Sequence, residues 1–107
     1  MRVLHVDASA RTEGSYSRDL SRYLVDALRN RIPSLAVDRL DLATNTPRHF
    51  GALETAAISI PESDHTPEMH EALSDSDLIV ARVLTADALV IGTPIYNFGM
   101  PSTLKAF

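Results

Sequence analysis

Cysteine is absent from the 107 residues. That excludes disulfide staples, thiolate metal sites and a thiol nucleophile within the chain. No apolar run approaches the roughly 20 residues of a membrane-spanning helix, so no membrane partner is expected. The opening Met1-Arg2-Val3-Leu4-His5-Val6-Asp7 has one basic residue and a very short apolar run. It lacks the longer apolar region and small-residue cleavage site of a secretory signal, and a cytoplasmic location is the default expectation. The formal net charge is -4, which argues mildly against unaided binding to nucleic acid. Several chemical signatures are also missing: the G-x-G-x-x-G dinucleotide turn, the G-x-x-x-x-G-K-[ST] phosphate loop, the H-E-x-x-H zinc helix and the G-x-S-x-G nucleophile elbow.

What remains is ordinary for one small domain spanning 1–107, with 45% hydrophobic and 22% charged residues. Val3 to Val6 reads as a buried strand closed by Asp7-Ala8-Ser9. A polar loop with one glycine follows. From Ser15 the period becomes helical, with Leu20, Tyr23, Leu24, Ala27 and Leu28 on one face and charged residues opposite. Pro33 stops that helix. Ala36 to Leu40 alternates like a strand with one wet side. Residues 44–67 are irregular, with room for a short helix around Leu53 to Ala57. So long a connection is often a lid or binding loop. Thr66-Pro67-Glu68 opens a helix by capping, ring-fixed φ and dipole. Its expected inner face is Met69, Ala72, Leu73, Ser76, Ile79, Val80, Val83 and Leu84, ending near Ala86. Ala88 to Gly92 is apolar throughout, the pattern of a central parallel strand. Pro101 to Lys105 looks like another helix start.

Strands alternating with helices imply parallel strands, right-handed crossovers and a doubly wound α/β sheet. Where the strand order begins 2-1-3, a ligand sits outside the C-terminal ends of strands 1 and 3. Chemistry is therefore expected just after Val6 and just after Gly92. The first loop, Ser9 to Ser17, supplies hydroxyls and free N–H groups at a helix N-terminus, a phosphate cradle without a lysine. Arg11 and Arg18 are candidates to add charge. Plain helix capping by Ser15 or Ser17 reads the same residues equally well. A compact cradle suits a phosphomonoester better than a pyrophosphate. The second loop, Gly92 to Pro101, holds Tyr96-Asn97-Phe98 between prolines and glycines. Its apolar faces and amide donors match a flat heteroaromatic ring. Alone, it reads as a hydrophobic turn sealing the sheet.

Together, Ser9…Ser15-Tyr16-Ser17 and Pro94-Ile95-Tyr96-Asn97-Phe98 resemble the two FMN loops of the FMN-dependent NADH-azoreductases, the NAD(P)H quinone reductases of flavodoxin-like fold. Asp41-Leu42, Thr66-Pro67 with Leu78-Ile79, and Ser102 to Lys105 resemble that family's frame. The resemblance implies a three-layer αβα flavodoxin-like sheet, of which this chain is the N-terminal part. The family continues into two more strands and a further glycine-containing loop. It also implies FMN as cofactor and NADH or NADPH as donor. A quinone or azo acceptor would be reduced by two-electron, ping-pong hydride transfer in a homodimer with the flavin near the interface. On that basis Ser9, Ser15, Tyr16 and Ser17 would hold the phosphate and ribityl. Ile95, Tyr96, Asn97 and Phe98 would line the isoalloxazine. No residue stands out as catalytic. Two alternatives share the fold: a flavodoxin-type electron carrier, and a non-catalytic fragment of the reductase.

The histidines add little. His65 and His70, near Glu62, Asp64 and Glu68, do not match zinc spacing, and no metal is expected. His5 reads as a satisfied strand residue. His49, in the long loop, has only its position to bring it near a substrate.

Overall fold

The structure, a computed structural model, describes residues 1–107. The chain runs β1 (Arg2–Asp7), α1 (Tyr16–Arg31), β2 (Ala36–Asp41), α2 (Ala52–Ile58), a 3-10 turn (Glu62–Asp64), α3 (Pro67–Thr85), β3 (Ala88–Gly92) and α4 (Ser102–Ala106). The strands form one parallel sheet in the order β2-β1-β3. Leu4 pairs with Asp38 and Leu89, and Val6 with Leu40 and Ile91. β1 is the central strand and is buried from Val3 to Asp7.

Local signals explain the element ends. Ser15 caps α1 by accepting the Arg18 N–H. The helix stops at Arg31, two residues before Pro33, whose preceding residue is kept out of helical φ/ψ. Thr66 accepts the Met69 N–H, and Pro67 fills the first position of α3, where a missing N–H costs nothing. Within the long connection, α2 runs one residue further at each end than the expected Leu53–Ala57.

The sheet's two faces differ. On one, Leu4, Val6, Ala8, Leu40 and Leu42 form an apolar core covered by Val83, Ala86, Leu104 and Phe107. The expected α3 face holds from Met69 to Val83 except at Val80; Val80 and Leu84 are exposed. On the other face, β1 presents His5 and Asp7 to α1, and the buried α1 residues are Arg18, Ser21 and Val25. Part of the periodic stripe expected to face inward does not: Leu20 is 70% and Tyr23 75% exposed and Leu24 is exposed too, while Ala27 and Leu28 are half-buried. The reason lies in the strand. His5 and Asp7 need hydrogen-bond partners once buried, and Ser21 supplies them, so α1 is rotated to bring its polar side to the sheet. β3 is an edge strand here, with β1 on one side only, and Leu89 and Ile91 stay partly exposed. No helix is long and apolar enough to cross a membrane.

Candidate functional site

The loops after β1 and β3 meet, as a 2-1-3 order requires of strands that neighbour each other. They line one open cavity of about 480 Å³, bounded by Ser9, Ser15, Tyr16 and Ser17 from the first loop and by Pro94 and Tyr96 from the second.

The first loop is shaped from inside. Ser9 is buried, and its hydroxyl accepts the Arg11 N–H at 3.1 Å. Gly14 has φ +64, a conformation that side chains with a Cβ rarely adopt. It turns the chain into α1. The Ser15 and Ser17 hydroxyls lie 3.2 Å apart. Ser15 does cap the helix, so the capping reading holds for it. Capping nevertheless leaves the N–H groups of Tyr16 and Ser17 without an acceptor in the protein. Those two N–H groups and the positive end of a 16-residue helix are an anion-binding arrangement. Of the two arginines considered for charge, Arg11 is exposed and lines the cavity. Arg18 instead points inward: its guanidinium forks onto Asp41 at 2.7 and 2.8 Å.

The second loop makes a tight turn. Tyr96 and Gly99 exchange backbone hydrogen bonds at 2.8 and 2.9 Å, and Asn97 and Phe98 both have positive φ (49 and 63). Left-handed backbone at an aromatic residue is strained and persists where the surroundings fix it. Ile95, Asn97 and Phe98 are exposed beside the cavity and do not bound it; Phe98 is wholly exposed. One long-range bond joins this segment to the first loop: the Ala10 N–H donates to the Tyr96 hydroxyl at 3.3 Å. Beside it, the Thr103 hydroxyl of α4 donates to the Ala8 carbonyl at 3.2 Å.

Beneath the site lies a buried polar cluster that hydrophobic periodicity does not reveal. The Ser21 hydroxyl donates to Asp7 Oδ1 at 2.7 Å, and Arg39 reaches Asp7 Oδ2 at 2.9 Å. His5 Nε2 lies 2.9 Å from the Ser21 oxygen. With the serine proton directed to Asp7, a neutral His5 carries its proton on Nε2 and donates it to Ser21. Burial lowers the His5 pKa; Asp7, 3.4 Å away, pulls the other way but is outweighed. The Asp41 carboxyl is held below the usual carboxylate range, first by its hydrogen bond from Arg18. Gly92 closes the packing: a Cβ there would come within 2.8 Å of Ser21 and 2.9 Å of the Ser17 carbonyl oxygen.

The other histidines lie elsewhere. His49 borders a smaller cavity of about 130 Å³ between α3 and the residues before α2. His65 bonds the Ala57 carbonyl, with the His70 ring edge-on at 5.4 Å.

The family model for the flavodoxin-like fold matches residues 1–107. The chain belongs to the flavodoxin-like family. This flavodoxin-like chain is 43% identical over 105 residues to an FMN-dependent NADH:quinone oxidoreductase of Nostoc punctiforme, covering 98% of the chain and 51% of that protein. It is 44% identical over 107 residues to the protein of the same name from Thiobacillus denitrificans, covering 100% of the chain and 52% of that protein. The crystal structure of an azoreductase from Bacillus anthracis matches it with TM-score 0.88 at 26% identity, over 99% of this chain and 52% of that one. The chain thus spans about half the length of the relatives it matches.

Proposed function

We propose that this flavodoxin-like chain is the FMN-phosphate-binding part of an FMN-dependent NAD(P)H oxidoreductase that reduces quinones, azo compounds or both. The observation that carries the reading is the shared cavity. An N-terminus with free N–H groups and paired serine hydroxyls faces an aromatic turn, at the switch point of the sheet. The donors fit a phosphate: they are neutral, the Tyr16 and Ser17 N–H groups are unpaired, and Gly14 allows the turn that presents them.

In this reading Ser15 and Ser17 donate hydroxyls, and Tyr16 and Ser17 donate N–H groups, to the phosphate oxygens. Ser9 shapes the loop behind them, and Tyr16 flanks the ribityl. Tyr96, with Ile95, Asn97 and Phe98 around its turn, offers surface to the isoalloxazine. FMN held there would supply the redox chemistry, a two-electron ping-pong exchange between NADH or NADPH and the acceptor. No carboxylate or histidine lines the cavity, in keeping with residues that bind and orient without acid–base work. The full protein acts as a cytoplasmic homodimer with the flavin near the interface; the wholly exposed Phe98 supports a second surface there.

Titration of the full natural protein with FMN, followed by flavin fluorescence, tests the reading. Saturable quenching is expected, weakened about tenfold in Ser17→Ala, the size of one hydrogen bond to a charged group. NADH is then expected to bleach the bound flavin and a quinone to restore it. Absence of FMN binding refutes the flavoprotein reading. Binding without reaction with NADH or NADPH makes the protein an electron carrier.

A further inference from the structure

Arginine is almost never fully buried unless paired, and Arg18 is 4% exposed in the first turn of α1. Its fork onto Asp41 uses Nη1 and Nη2, at 2.7 and 2.8 Å. Asp41 ends β2, and its Oδ1 also accepts the Ala43 N–H at 3.0 Å, so the carboxylate is itself fixed. Nη2 has a second bond, 2.7 Å to the backbone carbonyl oxygen of Ser9. Nε is buried without a partner, so the side chain is held through its fork alone.

The Ser9 carbonyl belongs to the same peptide unit as the Ala10 N–H. No peptide bond in the chain is cis. In a trans peptide C=O and N–H point in opposite directions. One end of the unit meets Arg18, and the other meets the Tyr96 hydroxyl. The Ser9–Ala10 peptide is therefore gripped from both sides. Polar contacts run unbroken from the end of β2, through Arg18 and the loop after β1, to the loop after β3.

We propose that Arg18 and Asp41 are positioning residues for the flavin phosphate: the Asp41-held guanidinium sets the Ser9–Ala10 peptide and thereby the serine cradle. This rests on the flavin reading above. The guanidinium acts by geometry. Its charge is matched by Asp41 at contact distance, and the fork orients two N–H bonds that a lysine ammonium does not reproduce.

The test compares affinities for FMN and for riboflavin, which lacks the phosphate. It uses the full natural protein, Arg18→Lys, Asp41→Asn and the double variant. Each single variant is expected to lose about tenfold in preference for FMN over riboflavin, the scale of one charge-assisted hydrogen bond. Riboflavin affinity stays within about twofold, and the double variant is no worse than the weaker single one, because the pair acts as one unit. Asp41→Asn is nearly isosteric and guards against a folding defect in Arg18→Lys. A folded Arg18→Lys or Asp41→Asn that keeps the wild-type preference overturns the proposal. So does loss of fold in all three variants, which makes the pair a device of the fold alone. Wild-type protein that binds FMN and riboflavin equally well refutes the phosphate reading itself, and this proposal with it.

Discussion

The Tyr96 hydroxyl accepts a hydrogen bond from the Ala10 N–H at 3.3 Å, linking residues 86 positions apart in sequence. It joins the two loops of the candidate site directly. Tyr96→Phe keeps the aromatic surface and removes only this acceptor. Ala10 is exposed, so water takes over the freed N–H and the cost stays near 1 kcal/mol. Affinity for FMN and for riboflavin is expected to fall by the same few-fold factor, since the ring loop moves while Arg18 still holds the Ser9–Ala10 peptide, and with it the serines, in place. Paired fluorescence titrations check this. A loss confined to FMN would show that Tyr96 acts on the phosphate and refute its assignment to the ring.

Gly92→Ala tests how closely α1 must approach β3. The added methyl would lie 2.8 Å from Ser21 and 2.9 Å from the Ser17 carbonyl oxygen. The serine side chain has some freedom; the backbone oxygen has little. Overpacking of this kind costs about 1–3 kcal/mol. Thermal denaturation is expected to show that loss. Ser21→Gly in the same chain is expected not to restore it, because the Ser17 contact remains and buried Asp7 and His5 lose their hydroxyl partner. Full restoration would mean that Ser21 alone sets the spacing.

Much of this arrangement is readable from residue order, and the unreadable part has a physical cause. β3 was bounded by its continuous apolar run, and α3 by Thr66-Pro67. The meeting of the two loops follows from a connection rule that needs no contact to be known. The buried face of α1 is different. Leu20, Tyr23 and Leu24 have the helical period of a core stripe, yet the sheet takes Arg18 and Ser21. Their burial depends on Asp41 and Asp7, which lie on two different strands, and helix periodicity carries no information about a strand partner. The same holds for Gly92, whose need for space appears only once Ser21 is opposite.

His5 makes acid stability a readout of the buried cluster. Its folded pKa lies below the ordinary value of 6.5, through burial first. Below pH 6.5 the unfolded chain therefore binds a proton that the folded chain resists, so stability falls on acidification from that point down to the folded pKa. His5→Gln keeps an amide donor for Ser21 and removes the titration. Urea unfolding across this range should show a pH slope in wild type that the variant lacks. Stability that rises on acidification would mean a protonated, Asp7-paired His5 in the folded state, and the assignment would fail.

Arg82 gives the contrasting case of a forked arginine remote from the site. It ties α3 to β2 through Asp38, with Nε and Nη2 at 2.9 and 2.8 Å from the two carboxylate oxygens, and also reaches the Arg39 carbonyl. Asp38 is held below its ordinary pKa, first by this hydrogen bond. The stabilisation is therefore present above the unfolded carboxylate value of 3.8 and is lost as pH falls through the lower folded value. Both side chains are nearly one-third exposed, so solvent screening limits the pair to about 1 kcal/mol. Arg82→Ala is expected to lose about that much in urea unfolding at neutral pH. The gap from wild type should narrow once Asp38 is protonated in both states, leaving only lost packing. FMN affinity should be unchanged, because α3 covers the opposite face of the sheet from α1. A drop in FMN affinity matching that of Arg18→Lys would mean that any forked arginine of this fold acts on the cradle, and the specific role given to Arg18 would not stand.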